Sequence, residues 1–336
     1  MSEQEVWLQN VLDAAVERYN ERVAAPIVAT PSLRVIPTQA FYAHVFPLKE
    51  GLGIDASSGL LTHIAEAWEK ALVLSRGLPI NRQIELLGTE SHAVEMSLRW
   101  LMQHELNHFA IGHFRITGSA GLLEAGDPRG YGVASQGTAP QDLVEIDLAE
   151  GETEEWTSYC LELQADQDAT EIFLGAYSSE NWVLFRYYAI CILVVMLIIE
   201  REERGKETSR THPFAETRLF MLLAYLTELP FIPAYKQAER EGLDYVPEEY
   251  LPSDSEISGY RAAVVEPVFA SSQILAEAVG LAGFWEGLGG AEIFFADVET
   301  VLSQGHQPPE EFRTKGAKQW AELKPTNDKI LRALGF

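Results

Sequence analysis

Apolar residues recur at helical spacing over several stretches of the chain, and this pattern predicts a largely helical protein. The clearest stretch is residues 3–22, where one apolar stripe follows Ser2 and Glu5, which have the spacing of a capping box. Helices are also expected over residues 58–72, 92–110, 156–174, 182–204 and 218–226. Pro and Gly interrupt further helical segments in residues 231–336.

Residues 24–56 follow a different pattern, because four prolines separate short β-prone runs. These runs, Leu33–Ile36, Ala40–Phe46 and Gly51–Asp55, predict two or three short strands. Residues 114–155 are rich in glycine and have few apolar runs, which predicts a long irregular region. Long loops of this kind are commonly functional, and this one is a candidate cover for a site.

The most apolar segment is Tyr187–Ile199, which has 13 residues without a charge. A membrane-spanning helix needs about 18 or more apolar residues, so this pattern favours a buried core helix. A membrane-associated helix is the alternative, since Arg201 and Arg204 follow the segment directly.

Composition and charge narrow the classes of partner. The 336 residues suit one large domain or two modest ones, and the net charge of -25 argues against nucleic acid or an anionic membrane as the main partner. The two cysteines, Cys160 and Cys191, are too few for a disulfide framework, which suits a reducing compartment. The N-terminal residues lack the basic and apolar segments of a secretory signal, so we expect a cytoplasmic protein.

The candidate chemistry lies in an HExxH motif formed by His104, Glu105 and His108. Residues four apart share a face of a helix, so both imidazoles can reach one metal ion from the same side. The glutamate between them can act as general base on a metal-bound water. A helix with two surface histidines is the structural alternative.

A catalytic zinc site needs a third protein ligand. An HExxHxxGxxH pattern does not supply it, because Gly112 and His113 stand in the wrong register, so we expect His113 to end a helix or lie in a loop. Glu162 on the next predicted helix is the better candidate, and Asp166 shares its face and could hydrogen-bond the far nitrogen of a ligand histidine. Two nearby carboxylates compete with Glu162 as ligands, namely Asp168 and Glu171.

Four motifs in this order resemble a known group of enzymes. From the N-terminus onward, GIDASSGLL at 53–61, HELNHFAIGH at 104–113, LELQAD at 161–166 and THPFAETR at 211–218 resemble motifs of the HtpX-like zinc peptidases. Those proteins usually have clear transmembrane segments, and the acidic character of this chain is closer to the phage-exclusion Lit peptidases. The resemblance implies a gluzincin-type metallopeptidase with one Zn2+ per chain. Because Lit-like proteins cleave elongation factor Tu during phage infection, it also implies this substrate by analogy.

The resemblance also implies roles for individual residues. Glu105 would take a proton from the zinc-bound water and return it to the leaving amine. His212 would either stabilise the oxyanion or simply hold a turn before a helix. Arg218 would either pair with a carboxylate near the site or be solvated. Separately from the resemblance, the order of the elements predicts that residues around Gly51–Ser57 form an edge strand that binds the peptide backbone.

These observations predict an α+β, predominantly helical fold. A zincin-like metallopeptidase domain with a short edge sheet would cover residues 1–230, and a helical C-terminal extension residues 231–336. The expected function is zinc-dependent endopeptidase activity on a cytoplasmic protein, with a phage-exclusion or stress role. The alternatives are a non-catalytic zinc-binding regulatory protein and a membrane-peripheral peptidase. An inhibitory or activating partner, but no nucleic acid, is also expected.

Overall fold

The described part of the chain folds into helices and one small β-sheet. The computed structural model describes residues 2–23, 26–28, 30–48, 51–117, 143–147, 152–206, 210–305 and 307–336. The helices are α1 (Glu3–Arg22), α2 (Gly59–Arg76), α3 (Glu90–Ala110), α4 (Phe114–Thr117), α5 (Glu154–Leu174), α6 (Trp182–Gly205), α7 (Ala215–Glu228), α8 (Ile232–Arg240), α9 (Asp254–Tyr260), α10 (Glu266–Ala278), α11 (Phe284–Leu288), α12 (Ala291–Gln304) and α13 (Lys315–Leu334). The strands are β1 (Ser32–Ile36), β2 (Ala43–Pro47) and β3 (Leu52–Ser57). This architecture confirms the α+β, predominantly helical prediction.

The first helix forms as its sequence pattern predicts. The Ser2 side chain accepts a hydrogen bond from the Glu5 backbone at 3.2 Å, and the Glu5 carboxylate accepts one from the Ser2 backbone at 2.6 Å. This reciprocal pair satisfies two N–H groups that the first turn would otherwise leave unpaired. The apolar stripe, which includes Leu8, Leu12 and Tyr19, is buried.

The sheet has the strand order β1-β3-β2, with β1 parallel and β2 antiparallel to β3. The predicted edge strand at Gly51–Ser57 is therefore wrong, because β3 is the central strand and pairs on both sides. All of β3 is buried, which suits a central position. The edge next to the helices belongs to β2, which contacts α3.

Helix α3 lies at the centre of the fold. It packs against α1, α2, α5, α6 and β2, and every residue from Trp100 to His108 is buried. A helix enclosed on all sides is normally apolar all round. This one instead buries polar and charged side chains in its last two turns: Gln103, His104, Glu105, Asn107 and His108. Their burial sets them apart from ordinary surface residues.

Helix α6 is the core helix that the apolar run predicts. Every residue from Ala189 to Ile199 is buried, and α6 packs against α2, α3, α7 and α10. In the part of the chain that the structure describes, Ser179–Gly205 is the one segment long and apolar enough to cross a membrane by length and composition alone. Its most apolar window is 72% buried inside the protein.

The C-terminal helix α13 packs against α5 and α7, and so against elements of the predicted peptidase domain. The proposed boundary near residue 230 stays a prediction. The glycine-rich region predicted over residues 114–155 lies largely outside the described residues. Its predicted role as a cover for the site therefore stays a prediction. At its ends, Phe114–Thr117 is helical and α5 begins at Glu154.

We expect Gly316→Ala to destabilise the protein. A Cβ at Gly316 would overlap the Glu216 carbonyl and lie 3.1 Å from the Thr217 nitrogen, so α13 would have to move away from α7. Overpacking of this kind costs about 1–3 kcal/mol, measured as the free energy of unfolding in urea.

Gly205→Ala is the matched control, because no atom lies within 4 Å of a Cβ at this helix end. Its free energy of unfolding should change by less than about 1 kcal/mol. Equal stability of the two variants would contradict the close approach of α13 to α7.

Candidate metal centre

One face of α3 carries two histidines that lie one helical turn apart. His104 and His108 are buried, and their Nε2 atoms lie 3.1 Å apart. From α5, Glu162 places Oε2 3.1 Å from His104 Nε2 and Oε1 3.5 Å from His108 Nε2. Because α3 and α5 pack together, one carboxylate reaches both rings.

These three side chains form a group that could hold a metal ion, and their ligand atoms all lie within 4.8 Å of one another. Two atoms at about 2.0–2.1 Å from a tetrahedral zinc ion lie roughly 3.3 Å apart. The separations of 3.1–3.5 Å in this group match that spacing. Two imidazoles and one carboxylate are also a donor set of hydrolytic zinc sites. The residues therefore fit a divalent metal.

Asp166 lies behind the His104 ring, one turn after Glu162. Its Oδ1 is 2.9 Å from His104 Nδ1, and buried Arg218 on α7 donates two hydrogen bonds to it, at 2.6 and 2.7 Å. Burial lowers the pKa of His104, but Asp166 and Glu162 raise it overall, to about 10. Arg218 therefore pairs with a carboxylate near the site and is not solvated. A carboxylate in this position fixes the tautomer and orientation of a ligand imidazole.

His212 reaches the group from the segment between α6 and α7. Its Nε2 lies 3.2 Å from Glu162 Oε2, and its Nδ1 lies 3.2 Å from Glu203 Oε1. Burial lowers the pKa of this histidine, but the charge and hydrogen bonds of Glu162 and Glu203 raise it overall, to about 9. The ring therefore contacts the candidate ligand group directly.

Sequence reasoning did not single out Glu203, near the end of α6. Besides facing His212, its carboxylate accepts hydrogen bonds from the Thr211 N–H at 3.1 Å and from Lys206 at 2.7 Å. Burial raises the pKa of Glu203, but His212 and Lys206 lower it far below its usual range. A charged run after an apolar helix is typical of a solvated helix end, so the pattern gave no signal for this role.

Glu105 lies beside the ligand group rather than in it. Its Oε2 accepts a hydrogen bond of 2.9 Å from the backbone N–H of Val45 on β2. The Ser57 N–H donates to the Tyr42 carbonyl, so the alternation of an antiparallel pair turns the Val45 N–H away from β3. Glu105 therefore links α3 to the open edge of the sheet.

A cleft of about 440 Å³ opens beside the group. His104, Glu105 and His212 line it, together with apolar side chains that include Phe41 and Leu101. Ala43 on β2 also lines this cleft. The candidate chemistry and the edge strand therefore share one cavity.

His113 lies in the turn between α3 and α4, in the loop or helix-end position predicted for it, and it is fully buried. Its Nδ1 lies 2.8 Å from His108 Nδ1, and its Nε2 lies 3.1 Å from Gln164 Oε1 on α5. Gln164 in turn donates to Asn327 Oδ1 on α13, at 2.8 Å. Burial and the neighbouring His108 lower the pKa of His113 well below 6.5.

The competing carboxylates lie elsewhere on α5. Asp168 lines a separate cavity of about 170 Å³, and Glu171 is exposed and accepts a hydrogen bond from Gln167. Neither belongs to the His104–His108–Glu162 group.

Residues 91–230 match the family model described as Peptidase U49. The matched segment runs from α3 to α7 and contains the three candidate ligands, but it contains neither Val45, whose backbone N–H binds Glu105, nor Asn327 on α13. A comparison with curated proteins gives no match, and a comparison with solved structures gives none. The family match supports a peptidase and agrees with the resemblance to the Lit peptidases. The HtpX-like and gluzincin resemblances rest on the sequence motifs alone.

We expect Glu162→Gln to lose bound metal, because it removes the only carboxylate among the three candidate ligands. Wild-type protein loaded with zinc and dialysed should hold about one ion per chain, and the variant should hold far less. Elemental analysis of both proteins provides the measurement.

Asp168→Asn is the matched control on the same helix and should keep the wild-type metal content. If Glu162→Gln kept its metal and Asp168→Asn lost it, the third ligand would be Asp168 and not Glu162.

Proposed function

We propose that the protein is a zinc-dependent endopeptidase that hydrolyses peptide bonds within a protein substrate. The observation that carries this proposal is the position of Glu105. Its buried carboxylate lines the cleft directly beside the His104–His108–Glu162 group, where a general base is needed. The match to a peptidase family supports the same reaction class.

His104, His108 and Glu162 would hold the metal. When bound, zinc acts as a Lewis acid on the scissile carbonyl and lowers the pKa of water to about 7. Glu105 takes the proton of the attacking water and passes it to the leaving amine. The Val45 N–H holds Glu105 Oε2, so we assign the proton transfer to Oε1.

His212 would stabilise the developing oxyanion from the other side of the cleft. Its Nε2 already lies against the ligand group, and Glu203 and the Thr211 hydroxyl hold its Nδ1 at 3.2 and 2.9 Å. A donor fixed in advance stabilises the transition state without reorganisation during the reaction. Glu203 is then the positioning residue for His212.

The substrate would bind as an extended segment along β2. The backbone groups of Ala43 point away from β3 by the same alternation that applies to Val45, and Ala43 lines the cleft. A peptide added to this edge would pass directly over Glu105. This replaces the central strand β3 as the proposed docking strand.

The biological role is proposed from the Lit-like resemblance and the family match. We infer a cytoplasmic peptidase that acts during phage infection or another stress, and elongation factor Tu is the first protein substrate to test. A non-catalytic zinc protein is the competing function, and the cleavage assay of the zinc-loaded wild type separates the two.

We expect Glu105→Gln to bind zinc with wild-type stoichiometry but to lose about 10²–10⁴-fold in kcat/KM, because the amide cannot accept the proton. Cleavage of purified elongation factor Tu and of a mixture of internally quenched peptides provides the assay.

Glu95→Gln on the same helix is the matched control. Half-buried Glu95 pairs with Arg99 and does not line the cleft, so its variant should retain full activity. Full activity of Glu105→Gln would contradict the assigned base, and a wild type that binds zinc but cleaves neither probe would favour the non-catalytic alternative.

We expect His212→Phe to lower kcat by about 10²–10³-fold with little change in KM or metal content, as for the loss of one oxyanion donor. Steady-state kinetics and elemental analysis measure the two effects. If the variant loses its metal instead, His212 is a ligand or supports Glu162, and the proposed oxyanion role fails.

A further inference from the structure

The two candidate histidine ligands have different partners on their far nitrogens. His104 Nδ1 faces the carboxylate of Asp166, which is paired with Arg218. His108 Nδ1 faces another imidazole, that of His113, at 2.8 Å. The HExxH chemistry described above does not use His113, although it is fully buried.

A series of hydrogen bonds runs from His108 through His113 and Gln164 to Asn327, and its partners determine which atom donates at each step. Gln164 donates its amide N–H to Asn327 Oδ1, so it presents Oε1 to His113. A carbonyl oxygen only accepts, and His113 Nε2 must therefore carry a proton. In a neutral imidazole the other nitrogen then has none, so His113 Nδ1 is an acceptor.

The same logic extends to His108. With His113 Nδ1 as the acceptor, the bond between the two rings requires a proton on His108 Nδ1. The neutral form of His108 then has a bare Nε2, and this atom faces His104 Nε2 and Glu162. A metal binds an imidazole through its unprotonated nitrogen.

Resting on the proposed metallopeptidase function, we propose that His113 is a positioning residue for the metal ligand His108. Held by Gln164 and Asn327, it keeps His108 in the Nδ1-protonated tautomer, so that Nε2 is available to the metal. The relay consists of His113, Gln164 and Asn327, and it joins the turn between α3 and α4 to α5 and α13. These uncharged side chains thus orient His108, as the carboxylate of Asp166 orients His104.

The relay has a structural consequence for the C-terminal residues. Asn327 lies on α13 and is buried, so the orientation of His108 depends on a helix outside the matched segment of residues 91–230. Residues 231–336 would therefore contribute to metal binding without providing a ligand.

Zinc affinity of the purified full-length protein, measured by competition with a chromophoric chelator, tests the relay. We expect His113→Phe to weaken zinc binding by about 10–100-fold, the usual effect of removing a partner of a ligand histidine. His113→Asn should restore most of the affinity, because its side-chain oxygen can replace Nδ1 as acceptor. Wild-type affinity in His113→Phe would overturn the proposal.

Gln164→Met provides a second variant if His113→Phe does not fold, and it should weaken zinc binding in the same direction. Thr326→Val is the matched control, since it removes a partly buried hydrogen bond to Glu152 from the residue next to Asn327 without touching the relay. It should lower stability in urea but leave zinc affinity unchanged. If Thr326→Val lost as much zinc affinity as His113→Phe, the loss would reflect lower overall stability, and the proposal would be overturned.

A measurement without metal separates this proposal from the proposed function. The 15N chemical shifts of the imidazole nitrogens in metal-free protein, with His108 assigned through His108→Gln, report its tautomer. Wild type should show the Nδ1-protonated form and His113→Phe should lose it, whereas the same tautomer in both would overturn the relay. A wild type that binds no zinc would overturn the metallopeptidase function, and these spectra would still decide the tautomer.

Discussion

The contact between His104, His108 and Glu162 across α3 and α5 is the constraint on which the rest of the structure depends. Burying ionisable groups is costly unless each has a partner, and these three side chains are almost completely enclosed. The surrounding elements supply those partners. Asp166 and Arg218 stand behind one histidine, His113 and Gln164 behind the other, and His212 and Glu203 beside the carboxylate.

This arrangement explains why distant parts of the chain meet at one place. Helix α7 brings Arg218, α13 brings Asn327, and the end of α6 brings Glu203. The apolar middle of α6 forms the core, while its polar end turns toward the site. The packing of the long apolar helix α6 in the core therefore also holds the polar groups at its end in place beside the candidate centre.

Local patterns predicted what depends on local physics. The capping box of α1, the buried run of α6 and the shared face of Glu162 and Asp166 all follow from helical periodicity over a few residues. The roles of Glu203 and His113 were missed because they depend on contacts between elements. The charged run at the end of α6 gives no sign of a role for Glu203, and the register of His113 excludes it only from the HExxHxxGxxH pattern. Strand order was missed for the same reason, since β3 follows β2 in the chain but lies between β1 and β2 in space.

The edge of the sheet limits how a peptide could be recognised. An added strand bonds to outward-facing backbone groups, which on β2 belong to alternate residues, Ala43, Val45 and Pro47. Proline has no N–H, and Glu105 accepts the hydrogen bond of the Val45 N–H. Only Ala43 then offers both a donor and an acceptor at the edge, so backbone pairing alone gives a short and weak hold. Within the proposed function, selectivity must therefore come from side chains that enter the cleft beside Phe41 and Leu101.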